Sequence, residues 1–212
     1  MTPLRVGIIG LGVGEKHIDG YKSHCASKVV ALCDFSEEKL AIAKRKYPEL
    51  RLVSNAEELL SDPSIDVISI ASYDNHHYSQ IVEAIYHDKH IFVEKPLCLF
   101  EKEAKHIHKL LFEKSYLKIS SNLILRKSPR FVDLKSRINT GTLGDIFYVE
   151  ADYNYGRIQK ILEGWRGQLD FYSVVYGGGI HMTDLLMWLT EDEIVEVSAY
   201  GTNVATRETN FK

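Results

Sequence analysis

Four groups of residues in this sequence have the types and spacing that chemistry needs. The first is Gly10 and Gly12 in "GIIGLGVGEKH", with Asp34 lying 24 residues after Gly10. Glycines closing an apolar run let backbone approach a pyrophosphate, and an acid about 20 residues on accepts from a ribose 2′-hydroxyl. The third position of that fingerprint is Glu15, with Gly14 one place early. Neither Arg nor Lys adjoins Asp34, which is followed by Phe35, Ser36 and Glu37. A 2′-phosphate would meet repulsion there, so NAD is expected rather than NADP. The second group is "ASYDNHHYS", with Ser72 and His77, and the third is "VEKPL", with Glu94 and Lys95. A lysine beside a nicotinamide can hold a substrate hydroxyl and stabilise charge as hydride leaves. By spacing alone Lys95 reads more readily as a surface lysine in a turn, and His77 more readily as part of a solvated helix N-terminus. The fourth group is "GGGIHMTDLLMWL", which puts His181 and Asp184 three residues apart, on one face of a helix. A histidine titrates near neutral pH and can take a hydroxyl proton. The plainer reading is a histidine packed beneath a glycine turn. No "GK[ST]" follows these glycines, so they are not a Walker-type phosphate loop.

These residues need a scaffold, and the first half of the chain describes one. Leu4–Gly10, Lys28–Asp34, Asp66–Ser72 and His90–Glu94 are short apolar runs rich in Val and Ile, and Leu117–Ser121 is a weaker one. Each reads as a buried strand. Between them Ser36–Tyr47, Asp74–His87 and Phe100–Lys114 carry apolar residues three or four apart, and the first opens on an N-cap serine. Strand and helix alternating over short connections predict an α/β fold, a doubly wound parallel sheet of Rossmann type. Ligands of such sheets bind beyond the carboxyl ends of the strands. Gly10, Gly12, Asp34, Ser72, His77 and Glu94 all fall there and are the expected cofactor-binding residues.

The rhythm changes near residue 121. "DIFYVEADYNYGR" and "EIVEVSAYG" alternate apolar with polar residues, which predicts half-buried antiparallel strands. The expected division is a dinucleotide-binding domain over 1–121 and an α+β substrate domain with an open antiparallel sheet over 122–212. Arg126, Tyr155, Arg166 and Asp184 are its candidate substrate residues, with Arg157, Trp165 and Tyr172 nearby. Arginine grips phosphate bidentately, which suits an anionic or nucleotide-linked sugar; surface ion pairing is the equal alternative.

Composition narrows the partners. The 212 residues carry 26 Lys+Arg against 29 Asp+Glu, a net charge of -3, which argues against nucleic acid. The sequence has no apolar run near the ~20 residues that span a bilayer. Three cysteines without a CxxC predict neither a disulfide framework nor a metal site, and a cytoplasmic location is expected.

The stretch "VISIASYDNHHYSQIVEAIYHDKHIFVEKPL" resembles the Gfo/Idh/MocA oxidoreductases, whose members carry "IATPNxxH" and then "AxxxGKHVxxEKP". Ile70, Ala71, His77, Ala84, Lys89, His90, Val93, Glu94, Lys95 and Pro96 fit, while Ser72, Tyr73 and Asp74 replace Thr-Pro-Asn. "LRKSPRF", "TLGDIFYVEADY", "GWR" and "GGGIHMTDLLMWL" have counterparts as well, so the likeness runs from about Val6 to Gly201. The resemblance implies a nicotinamide-dependent enzyme acting on sugars, inositols or nucleotide sugars. It implies that Lys95 meets the substrate at the reacting carbon, that His181 is the acid/base, and that copies pair through the open sheet as a homodimer. A catalytically inactive NAD-binding partner subunit is the rival. Two departures stand out. Many members carry Asp four residues before the histidine, where this chain has Gly177, leaving Tyr176 or Asp184 as substitutes. Members are also longer, and the chain is read as a C-terminally short one.

Overall fold

A computed structural model describes residues 2–169 and 171–209 of the chain. It divides into two compact units, Met1–Asn122 and Leu123–Lys212. In the first, β1 (Leu4–Ile9), α1 (Glu15–Lys22), β2 (Ser27–Cys33), α2 (Glu37–Lys46), β3 (Arg51–Val53), α3 (Glu57–Leu60) and β4 (Val67–Ile70) follow one another. Then come α4 (Asp74–Tyr86), β5 (His90–Val93), α5 (Glu101–Glu113) and β6 (Ile119–Ser121). The six strands are parallel and lie in the order β3-β2-β1-β4-β5-β6. That order reverses between β1 and β4, the crevice where such sheets bind ligands.

The two-residue period of β1 sends its side chains to opposite cores. Val6 and Ile8 join Leu32, with Ile18 of α1 and Ala43 of α2, on one face. Ile9 joins Ile68, Ile81, Ile85 and Ile107, under α4 and α5, on the other. Both faces are therefore covered, which is why these strands read as continuous apolar runs. Local chemistry sets the helix starts: the Ser36 hydroxyl accepts from the Lys39 N–H at 3.4 Å and caps α2. In α5 the Glu103 carboxylate accepts from the N–H groups of Leu99 and Phe100.

Lys89 of the "DKH" turn is only 4% exposed. Its ammonium donates to the Asp62 and Ile65 carbonyls at 2.6 and 2.7 Å, closing the loop that leads into β4. Burial pushes it below the ordinary lysine range, against the pull of Asp62, Asp66 and Asp88.

The second unit is helical. It contains a 3₁₀ turn (Ile124–Lys127), α6 (Pro129–Asn139), α7 (Ile158–Leu162), a 3₁₀ turn (Trp165–Gln168), a π-helical turn (Val175–Gly179) and α8 (Ile180–Thr190). The expected open sheet is not there: among the described residues no strand follows β6. Residues 145–157 and 193–201 have no regular structure. Phe147 and Val195, 98% and 95% exposed, lie on solvent. Alternation says only which side chains would share a face; a strand also needs a paired neighbour for its backbone groups. Two such segments could make at most a lone pair, which is marginal in water. The homodimer expectation rested on that sheet and has no such surface among the described residues. No described helix is long and apolar enough to cross a membrane.

Replacing Lys89 by Met would keep its bulk but strand the buried Ile65 carbonyl, while the Asp62 carbonyl keeps the Ile65 N–H, at a cost of about 1–3 kcal/mol. Urea unfolding followed by circular dichroism should show a lower midpoint at an unchanged slope.

Candidate active site

The turn after β1 is built around Gly10. Its φ of +91° and a Cβ that would lie 2.3 Å from the Ala71 carbonyl oxygen leave room for glycine alone. This contact locks the turn onto the end of β4, the strand across the crevice. Gly12 faces open space, with nothing within 4 Å of a would-be Cβ, so a ligand can meet the backbone there. The close helix-to-strand contact falls on Gly14, where a Cβ would come 2.1 Å from the Gly10 carbonyl oxygen and 2.9 Å from the Ala71 Cβ. The fingerprint position at Glu15 is thus served one residue early. The cradle fits a dinucleotide pyrophosphate.

Asp34 stands directly after β2 with its side chain 2% exposed. Its Oδ2 accepts from the Leu11 N–H at 2.7 Å and its Oδ1 from the Ser36 N–H at 2.9 Å. The sequence expectation of an acid without a cation beside it does not hold. The first turn of α2 carries Lys39 back, and its Nζ lies 3.2 Å from Oδ2.

The ends of β4 and β5 are tied together by His77. Its ring is fully buried, with Nδ1 2.6 Å from the Pro96 carbonyl and Nε2 3.1 Å from the Ser72 carbonyl. Expected as a cofactor ligand, it instead holds the two loops that frame one. Ser72 turns its hydroxyl to the Gln80 side-chain oxygen at 2.7 Å, which also occupies it within the protein. Glu94 is likewise turned inward. Its Oε1 takes the Asn122 side-chain N–H at 2.6 Å and lies 3.1 Å from His17 Nε2. His17 Nδ1 is 3.0 Å from the Ser69 hydroxyl, and the ring stands edge-on to Phe92 at 5.2 Å. Burial alone would raise the Glu94 carboxyl; hydrogen bonds from His17 and Asn122, with the charges of His17 and Lys95, outweigh it and hold it low. Lys95 follows directly, partly buried and joined to Pro96 by a cis peptide. His17 and Asn122 had no signal in the sequence beyond being polar residues at element ends.

In the second unit the glycine run has a packing cause. A Cβ on Gly177 would lie 2.0 Å from the Tyr172 hydroxyl, and one on Gly178 would lie 2.5 Å from the Tyr153 ring. Two phenols thus press on the backbone of the π-helical turn, a feature often found at functional sites. His181 follows in the first turn of α8, whose Leu185 and Leu189 are buried. The space facing Gly177 belongs to Tyr172 rather than to either expected substitute. Tyr176 packs on Phe171 with ring centroids 6.0 Å apart. Asp184 is gripped by Arg126, whose Nε lies 3.1 and 2.9 Å from its two oxygens and whose terminal nitrogen lies 2.5 Å from Oδ1. That fork pairs Arg126 with Asp184. Arg166 lies over the Trp165 ring at 4.3 Å and near Tyr172 at 5.6 Å. Tyr155 stacks on Tyr153 at 6.1 Å.

Comparison with known proteins agrees with this geometry. The model of the oxidoreductase family with an NAD-binding Rossmann fold (GFO_IDH_MocA) matches residues 4–121, and that of the GFO/IDH/MocA C-terminal domain matches 131–211. Inositol 2-dehydrogenase 1 of Saccharopolyspora erythraea is 26% identical over 96% of this chain and 59% of its own length. Inositol 2-dehydrogenase/D-chiro-inositol 3-dehydrogenase of Lacticaseibacillus casei is 27% identical over 92% and 55%. The chain therefore spans a little over half the length of these relatives. Among solved structures, myo-inositol dehydrogenase from Lactobacillus casei in complex with NAD(H) and myo-inositol superposes with a TM-score of 0.72. It is 27% identical over 91% of this chain and 56% of that one.

Glu94→Gln should cost about 1–3 kcal/mol at neutral pH, because it removes the charged acceptor that His17 and Asn122 share. The folded carboxyl titrates below its ordinary 4.5, so its stabilisation is present above that value and lost as pH falls through the folded one. Denaturant midpoints across pH should show the gap between parent and variant closing in the acid range.

Proposed function

The chain belongs to the Gfo/Idh/MocA oxidoreductase family, and on that basis we propose that it serves an NAD-dependent dehydrogenase of a cyclic polyol. The observation that carries the reading is Lys95, set by the locked Glu94 at the carboxyl edge of the sheet where Gly10 and Gly12 turn. The names of the similar proteins, inositol dehydrogenases, support a cyclitol substrate. A neutral polyol is favoured over a nucleotide-linked sugar, since Arg126 is engaged by Asp184 and Arg166 by aromatic rings.

The residues that would hold NAD are the backbone at Gly10 to Gly12 for the pyrophosphate and Asp34 for the adenosine ribose. When bound, NAD supplies the acceptor for a hydride. Lys95 is assigned to the substrate oxygen: its ammonium donates to the hydroxyl and stabilises negative charge as the C–H electron pair leaves. His181 is assigned to the hydroxyl proton, which a neutral imidazole nitrogen takes as the carbonyl forms. The substrate is left with a carbonyl and His181 with the proton, and the hydride acceptor is what NAD would supply when bound.

The test is NADH absorbance with a panel of inositols, hexoses and nucleotide sugars. Turnover of an inositol is expected. Lys95→Ala should lower its kcat by about 10²–10³-fold and His181→Ala by about 10²–10⁴-fold, with NADH binding kept. NAD binding with no turnover of any polyol would favour the inactive-subunit reading. An unchanged kcat in Lys95→Ala would remove that residue from the mechanism.

A further inference from the structure

We propose that Lys39 sets the discrimination between NAD and NADP, and that it makes the adenosine end of this site tolerant of a 2′-phosphate. The inference rests on the dinucleotide reading and deepens it. A ribose-binding acid rejects NADP because the 2′-phosphate adds about two negative charges beside a carboxylate. That rejection needs a carboxylate whose charge is uncompensated. Here Asp34 is compensated. Its oxygens take three donors, the N–H groups of Leu11 and Ser36 and the ammonium of Lys39. An ionised carboxylate offers about four acceptor positions, so roughly one remains for the ribose diol. The acid is thus still able to receive a 2′-hydroxyl, but it no longer presents a bare negative charge to what that oxygen carries.

The cation is also placed to be shared. The Lys39 side chain is 40% exposed while its Asp34 partner is 2% exposed, so the ammonium sits on the solvent side of the carboxylate. It lies 5.9 Å from the centroid of the Phe35 ring, which is 69% exposed beside it. A lysine ammonium carries three donors on a flexible stem and acts on phosphate as a point charge. A small rotation therefore turns it from Asp34 to a phosphate without moving the backbone. The approach follows from the fold: Ser36 caps α2, and the first helical turn returns Lys39 to Asp34.

The test is the ratio of NADPH to NADH dissociation constants, measured by cofactor fluorescence on the full chain at low salt. The parent should bind both, with less than about tenfold preference for NADH. Lys39→Gln should shift the ratio against NADPH by about tenfold, as removal of one nearby charge predicts. Lys39→Arg, which keeps the charge, should restore it to within about twofold. Added salt should narrow the difference between Lys39→Gln and the parent. An unchanged ratio in Lys39→Gln, with NADH still bound, overturns the role of Lys39 alone. Failure of the folded parent to bind either cofactor overturns the dinucleotide reading and this proposal with it.

Discussion

A carboxylate taken out of water must be paired, or the fold that buries it is lost. Glu94, its side chain 13% exposed, is one such carboxylate, and its partners come from several elements around the carboxyl edge of the sheet. His17 comes from α1, the helix that opens on the glycine turn. Asn122 follows β6. Through His17 the network reaches Ser69 in β4, beside the crevice strand. Satisfying one partly buried acid thereby ties together the first helix, three strand ends and the backbone that carries Lys95. His77 closes the same edge from the α4 side by spanning the Ser72 and Pro96 carbonyls. Residues that looked like ligands are in this way the frame around one.

The two units meet their packing demands by different means. The first has a sheet in which every central strand is paired and covered on both faces, so its side chains are placed by register. The second relies on aromatic rings against helix backbone. Tyr172 and Tyr153 fill the volume beside Gly177 and Gly178, and Arg166 lies over Trp165. Glycines that invite a phosphate-loop reading are there because phenols occupy the space that a Cβ would need. The same unit pairs Arg126 with Asp184.

The cofactor end shows how a short-range rule meets a three-dimensional fact. Sequence neighbours of Asp34 carry no positive charge, yet Lys39 stands one helical turn on and folds back onto it. The charge that a ligand feels is set by neighbours in space, and the turn at Ser36 that opens α2 carries Lys39 back to Asp34.

The parallel sheet, its helices, the glycine turn and Asp34 were legible in the sequence. They depend on local periodicity, on capping and on a backbone conformation that only glycine adopts at Gly10. The change of rhythm near residue 121 was legible for the same reason. What alternation could not decide was whether residues 145–157 and 193–201 pair, because strand pairing is a property of two segments and their neighbours. Nor could one dimension show that His77 and Glu94 face inward, that Lys39 neutralises Asp34, or that Tyr172 faces Gly177. Each of those is a contact between residues brought together by the fold, some close in the chain and others far apart. Sequence therefore determined which residues have the types and spacing for chemistry, and tertiary structure decided which of them are spent on holding the others in place.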